Sequence, residues 1–161
     1  MAKMIFINLP VTDLPASMKF YEAVGFTNNA QFTNDQAAAM QWSDEIAVML
    51  LTHDFWKTFT DRAIPNAHES AQVFLCLSHD SREEVDAIVA KAGPAGGKAE
   101  PTPTQDHGFM YGSSFEDPDG HIWEVMWMDP QAAGAGPEAL VGASVDGGPG
   151  AAGPRDEGEM R

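Results

Sequence analysis

Hydrophobic positions along the first sixty residues follow two different periods. An apolar run at residues 4–11 has the length and composition of a strand, and after Asp13 the apolar positions recur at helical spacing. Asp13 is suited to cap the helix and Gly25 to end it. Three further strands are predicted near residues 26–32, 37–42 and 45–52.

The same order of elements recurs in the second half of the chain. A strand is predicted at 72–77, and Ser81-Arg82-Glu83-Glu84 is a capping box that opens a helix. Three strands follow near 98–102, 109–116 and 121–128. The pattern predicts an α+β fold of two tandem βαβββ modules, about 4–60 and 70–129, that form a curved mixed sheet around one cleft.

The composition changes after residue 129. Ala, Gly and Pro make up 19 of the last 32 residues, and few apolar residues remain that could be buried. We therefore predict that residues 130–161 form a disordered tail after a folded domain at 1–129. A role for this tail as a tether to a partner stays open.

The charge balance argues against two classes of partner. The chain carries 24 acidic and 9 basic residues, a net charge of −15, so nucleic acid and anionic membrane surfaces should be repelled. No apolar run is long enough to span a membrane, and no export signal is visible at the N-terminus. The single cysteine, Cys76, lies in an apolar run and is expected to be a core thiol of a soluble cytoplasmic protein.

Glu124 is the main candidate for a site residue. Side chains alternate along a strand, so Trp123 and Trp127 share one face while Glu124 shares the other with Ile122 and Met126. The tryptophans require apolar surroundings, which the helices supply, and Glu124 then points into the cleft. A carboxylate between apolar neighbours needs a cation, a donor or a proton. A purely architectural salt bridge would serve, as would a ligand or a metal.

Two segments resemble the vicinal oxygen chelate superfamily. Residues 6–14, with Phe20-Tyr21 and Gly25-Phe26, resemble its opening, and residues 115–124 are similar to its closing hairpin. The group includes glyoxalase I, extradiol dioxygenases, fosfomycin resistance enzymes and bleomycin-binding proteins. The resemblance covers about 4–129 and implies paired βαβββ modules with one cleft for a small molecule, usually in a homodimer.

The resemblance also implies positions for the ligands of one divalent metal ion. Metal-using members take one ligand from the first and the last strand of each module. These positions correspond to Phe6, Leu50, Gln72 and Glu124, of which only Gln72 and Glu124 carry oxygen donors. Asn8 or Thr52 could add an oxygen, and a register shifted by one residue is an open alternative.

Four further residues are predicted to contact the ligand. Asn8 shares a strand face with Phe6, and Met126 flanks Glu124. His107 lies in a polar loop at the expected cleft edge, where it could act as a base or a contact. Tyr111 could present its hydroxyl to the ligand, although a core position is the alternative.

The remaining histidines are not predicted to take part in the site. His121 is expected to be structural, because alternation places it opposite to Glu124. His53 and His79 are expected in solvated connections. His68 has no partner at metal-ligand spacing.

Two functions remain open from the sequence. In the first, a divalent ion bound by Glu124 gathers two substrate oxygens, as in a lactoylglutathione lyase-like enzyme or a dioxygenase, with Glu124 as ligand and catalytic base. In the second, the cleft binds a small hydrophobic or cationic molecule or drug without a metal. Phe6 and Leu50, which cannot bind a metal, favour the second.

Overall fold

The computed structural model describes residues 1–134, and Met1–Asp129 forms one compact unit. Most of the predicted tail lies outside the described residues. At its start, Pro130–Ala133 forms a four-residue helix, α4. Within residues 1–134, no helix is long and apolar enough to cross a membrane.

The first module contains the predicted strand, helix and three strands. Its elements are β1 (Ile5–Val11), α1 (Leu14–Ala23), β2 (Thr27–Asn29), β3 (Ala37–Gln41) and β4 (Ile46–Thr52), arranged in the sheet order β1-β4-β3-β2. Asp13 caps α1 as predicted, because its side chain accepts a hydrogen bond from the Ala16 N–H. The segment predicted as one strand at 26–32 is divided. Asn29 caps a 3₁₀ turn there and ends β2.

The second module repeats this arrangement. Its elements are β5 (Leu75–Ser78), α3 (Arg82–Ala92), β6 (Lys98–Ala99), β7 (Gln105–Asp106), β8 (Met110–Glu116) and β9 (Ile122–Met128). The sheet order is β5-β9-β8-β6, and β7 also pairs with β8. Ser81 caps α3 as predicted. The two-residue strand β7 and the short helix α2 (His53–Trp56) were not predicted from the sequence.

The two sheets share one hydrophobic core on their helix-bearing sides. The ring of Phe20 on α1 lies 6.0 Å from that of Phe115 on β8, and Tyr21 lies 6.0 Å from Trp123 on β9. Phe20, Tyr21, Phe115 and Trp123 are all fully buried. Such aromatic pairs contribute about 0.5–1.5 kcal/mol each beyond their buried area. Helix α1 of the first module therefore packs against the sheet of the second.

The predicted turn at Asp117–Gly120 joins the two modules. Asp119 accepts a hydrogen bond from the Thr12 N–H at 3.0 Å, next to the start of α1. The His121 ring donates to the carbonyl oxygen of Pro10 at 2.8 Å, which agrees with its predicted structural role. Gly120 has φ +92°, and the His68 backbone lies where a Cβ would be, so glycine is required here.

Candidate functional site

Strand β9 presents Glu124 as the alternation predicted. Trp123 and Val125 are fully buried in the core, whereas Glu124 and Met126 are partly exposed on the opposite face. Glu124 and Met126 line one small cavity of about 90 Å³. We call the side of each sheet that faces away from the helices its open face.

The cavity beside Glu124 is lined largely by polar side chains, and none of its lining residues in the described part of the chain carries a positive charge. Thr102, Gln105, Ser113 and Cys76 contribute to its walls together with Met126. Within residues 1–134, the Glu124 side chain has neither a hydrogen bond nor an ion pair. The architectural salt bridge that the sequence left open does not form in this part of the chain.

Cys76 is exposed, so its predicted position in the core is wrong. In the parallel pairing of β5 with β9, Cys76 lies directly opposite Glu124. Although the residue is exposed, its thiol is partly buried, and this partial burial, followed by the negative charge of Glu124, raises the pKa of Cys76 above its usual value. The pair therefore favours a neutral thiol next to a carboxylate.

The open face of the first module carries a larger and less polar cavity. It has a volume of about 520 Å³ and is lined by Met4, Phe6, Asn29, Phe32, Ala39, Gln41, Ala47 and Met49. Leu50 is fully buried in the core, so its predicted cleft position is wrong by one residue. Met49 lines the open face in its place.

Equivalent positions of the two modules follow from their last hairpins. In the hairpin of the first module, the Trp42 N–H donates a hydrogen bond to the Ile46 carbonyl. In the hairpin of the second module, the Asp117 N–H donates one to the His121 carbonyl. Met49 and Glu124 each lie three residues beyond these hydrogen bonds. The hairpin turns can be recognised in the sequence. Counting residues from each turn would therefore have identified Met49, rather than Leu50, as the position equivalent to Glu124.

The strand pairings extend this equivalence to the first strands. Asn8 lies opposite Met49 in the first module, as Cys76 lies opposite Glu124 in the second. Two residues earlier, Phe6 therefore corresponds to Phe74. Both phenylalanines are more than half exposed, at 58% and 56%.

Gln72 lies apart from Glu124. The predicted strand at 72–77 begins later, at Leu75, and Gln72 precedes it. Gln72 and Asn8 line a third cavity, of about 220 Å³, between the two modules. Glu124 does not line this cavity.

The residues present do not fit a divalent metal centre. Among residues 1–134, no three His, Cys, Asp or Glu side chains form a group that could hold a metal ion. Three of the four equivalent strand positions carry Phe6, Met49 and Phe74, none of which is an oxygen or nitrogen ligand. Metal binding by Glu124 and Gln72 stays a prediction.

Tyr111 and His107 lie outside the cavities described above. The Tyr111 hydroxyl donates to Asp86 at 2.7 Å, and the Arg82 guanidinium lies 5.0 Å from the centre of its ring. The His107 ring lies 6.4 Å from that of Phe109. Contact of either residue with a ligand stays a prediction.

The side chain of His79 is largely shielded from solvent, so its predicted solvated position is wrong. Its side chain is only 9% exposed and lies edge-on to Trp42, at 5.4 Å between ring centres. Within the described chain, its Nε2 atom has no hydrogen-bond partner. Burial lowers the pKa of His79, and nearby Glu84 and Asp80 oppose this shift. The imidazole is therefore favoured in its neutral form.

The model of one family matches most of the folded unit. The match to the Glyoxalase/Bleomycin resistance protein/Dioxygenase superfamily covers residues 3–125. The chain belongs to this superfamily. The superfamily match and the two modules confirm the resemblance noted in the sequence. Among curated proteins, none matches the chain.

Several solved structures have the same fold. The hypothetical protein SA1046 from S. aureus is 29% identical, with a TM-score of 0.66 over 79% of this chain and 95% of that one. A glyoxalase-related enzyme from Fulvimarina pelagi is 24% identical, with a TM-score of 0.64 over 79% and 88%. TnmS3, an antibiotic binding protein from Streptomyces sp. CB03234, is 21% identical, with a TM-score of 0.55 over 80% and 97%.

Proposed function

We propose that this superfamily member binds a small molecule on its open sheet faces without a metal ion, with Glu124 as the polar anchor. The observation that carries the proposal is the partly buried Glu124 carboxylate, which has no partner among residues 1–134. Partial burial removes some of the water that would otherwise hydrate this carboxylate, which carries a free-energy cost. A ligand that supplies a donor or a positive charge would offset that cost.

The equivalent positions support binding rather than metal chemistry. Phe6, Phe74 and Met49 offer two aromatic rings and a thioether, which suit van der Waals contact with an apolar ligand. A divalent ion would need several oxygen or nitrogen donors instead. TnmS3 shares the fold and binds an antibiotic by its description, which is consistent with binding as a function of this scaffold.

We further propose that the binding cleft is completed in a homodimer. The cavities beside Met49 and beside Glu124 have no lining residue in common. Phe6, Phe32 and Phe74 are each more than half exposed. Exposed apolar surface of this kind is typical of an interface or a ligand site. Pairing the first module of one copy with the second module of another would enclose both cavities.

A thermal-shift screen with metal-free protein tests the binding proposal. The chain is treated with a chelator and screened against aromatic small molecules, with and without added divalent ions. We expect hits that raise the melting temperature without metal and that lose affinity in Glu124→Gln. Glu22→Gln, an exposed glutamate on α1, is the matched control. Stabilisation by metal addition alone would contradict the proposal.

Oligomeric state is measured separately, by light scattering coupled to size exclusion. We expect a dimer for the wild-type chain. Phe6→Ala should weaken association, because it removes a large exposed ring from the apolar face. A monomer at high micromolar concentration would contradict the dimer but leave the binding test intact.

A metal-assisted lyase or dioxygenase is the second candidate, and it rests on the superfamily and on Glu124. Metal analysis of the purified protein after growth with several supplied ions tests it. One equivalent of bound metal that is lost in both Glu124→Gln and Gln72→Ala would favour this candidate over metal-free binding. Cytoplasmic location stays a prediction from the sequence.

A further inference from the structure

We propose that the cavity beside Glu124 binds a protonated amine, so that the ligand of this protein carries an ammonium group attached to an apolar body. The inference rests on the proposed binding function and adds the chemical class of the ligand. It concerns the second module only, because none of the described residues that line the equivalent cavity of the first module has an ionisable side chain.

Hydrogen-bond acceptors surround the space beside Glu124. Glu124, Gln105 and Thr102 line the cavity, each with a side-chain oxygen that can accept a hydrogen bond, and no Lys, Arg or His of the described chain does. The Thr102 hydroxyl is hydrogen-bonded to that of Ser114 at 2.6 Å and can still accept. Ammonium is a compact cation with three donors, which matches several acceptors around one point. An anionic group would meet Glu124 without compensation.

Arg82, the first residue of α3, is held by other partners. Arg82 donates two hydrogen bonds to Asp106, at 2.7 and 3.0 Å, and a third to the Gly108 carbonyl at 2.8 Å. Its guanidinium also lies over the rings of Tyr111 and Trp127. Because Arg82 is engaged by these partners, it does not compete with a bound cation for Glu124.

Cavity size limits what can enter. A volume of about 90 Å³ is small beside the 520 Å³ cavity of the first module, which suits a small polar head group rather than a whole ligand. Phe74 lies two residues before Cys76 and is 56% exposed. Its ring can cover the apolar body of a ligand whose ammonium group lies beside Glu124.

The pKa of Cys76 can be used to detect a positive charge bound next to Glu124. The charge of Glu124 contributes to raising the pKa of the neighbouring thiol. A cation at Glu124 would cancel that contribution, whereas a neutral ligand of the same size would not. Because Cys76 is the single cysteine of the chain, its thiolate absorbance can be measured without interference from other thiols.

The test compares two probes of equal size, 3-phenylpropylamine and 3-phenylpropan-1-ol. Both are titrated into isotope-labelled full chain at neutral pH, and amide shifts of both modules are followed. We expect the amine to bind about ten- to hundredfold more tightly than the alcohol, because its hydrogen bonds involve charged groups. The largest shifts should lie at Cys76, Thr102 and Glu124, and only the amine should lower the pKa of Cys76.

Two variants complete the test. Glu124→Gln should remove the preference for the amine, and Glu22→Gln should keep it. Glu124→Asp retains the charge and should keep part of the preference, which controls for misfolding in Glu124→Gln. Equal affinity of both probes would overturn the ammonium site and leave the proposed binding function standing. Absence of shifts on both open faces with either probe would overturn both.

Discussion

The hydroxyl of Tyr21 on α1 donates a 2.8 Å hydrogen bond to Oδ2 of Asp117 in the closing turn of the second module. The same hydroxyl accepts a hydrogen bond from the Trp123 ring nitrogen at 3.0 Å. Burial raises the pKa of Asp117, while neighbouring His121 and the bond from Tyr21 oppose this shift. The buried carboxylate therefore depends on a donor from the other module.

Tyr21→Phe should lower the free energy of unfolding by about 1–3 kcal/mol. The change leaves Oδ2 of Asp117 and the ring nitrogen of Trp123 without this partner in the core. Urea denaturation followed by tryptophan fluorescence measures the loss. Tyr111→Phe, at the other tyrosine of the chain, removes an exposed hydrogen bond to Asp86 and should cost clearly less. Equal losses would contradict a special role for Tyr21.

Stability should fall as the pH is lowered through about 6.5, in part because of His79. The pKa of His79 is lowered in the folded chain, so the unfolded chain binds the proton more readily. Its contribution is fully present above the unfolded pKa and is lost as the pH falls below it. One such group changes stability by at most about 1.4 kcal/mol per pH unit.

His79→Phe separates this contribution from those of other groups. Phenylalanine keeps a ring beside Trp42 and cannot titrate. Urea midpoints measured between pH 8 and pH 5 should decline less steeply in the variant than in the wild-type chain. Parallel curves would show that protonation of His79 is not linked to unfolding.

Glu124→Gln should lower the pKa of Cys76 toward its usual value. The substitution removes the negative charge opposite the thiol but leaves its burial unchanged, so part of the upward shift should persist. Thiolate absorbance over a pH titration measures the change, with Cys76→Ser as the blank. If the titration of Cys76 is the same in both proteins, the two side chains do not interact across β5 and β9.

Gly97→Ala should destabilise the chain by about 1–3 kcal/mol or more. A Cβ at Gly97 would overlap the carbonyl oxygen of Glu116 and approach Phe20 Cε2 to 2.6 Å. Gly93→Ala is the matched control, because no atom of residues 1–134 lies within 4 Å of a Cβ built there. Calorimetry should show a lower melting temperature for the first variant alone.

The order of elements and the direction of Glu124 could be predicted from the sequence. Each depends on a local difference between polar and apolar residues. The polar caps Asp13 and Ser81 mark the helix starts, and the alternation of tryptophans with a carboxylate distinguishes the two faces of β9. Such differences between neighbouring residues can be recognised without knowledge of the tertiary contacts.

The wrong predictions fall where neighbouring residues do not differ in polarity, or where a contact between the modules decides the outcome. Strand β4 is apolar on both faces, from Ile46 to Leu51, so alternation cannot tell Met49 from Leu50. The same holds for Cys76 within the apolar run at 73–77. Burial of His79 depends on Trp42 of the other module, a contact that no local pattern encodes. The cavity that Gln72 lines could not be predicted for the same reason, because residues of both modules form it.

The common core of the two sheets has a consequence for folding. Phe20 and Tyr21 of the first module pack on Phe115 and Trp123 of the second, so separating the halves would expose four large rings and the Asp117 carboxylate to water at once. Residues 1–129 should therefore unfold in a single cooperative transition, and the slowest-exchanging amides of both modules should have the same opening free energy. Although each module repeats the other's architecture, neither should be stable as an isolated fragment.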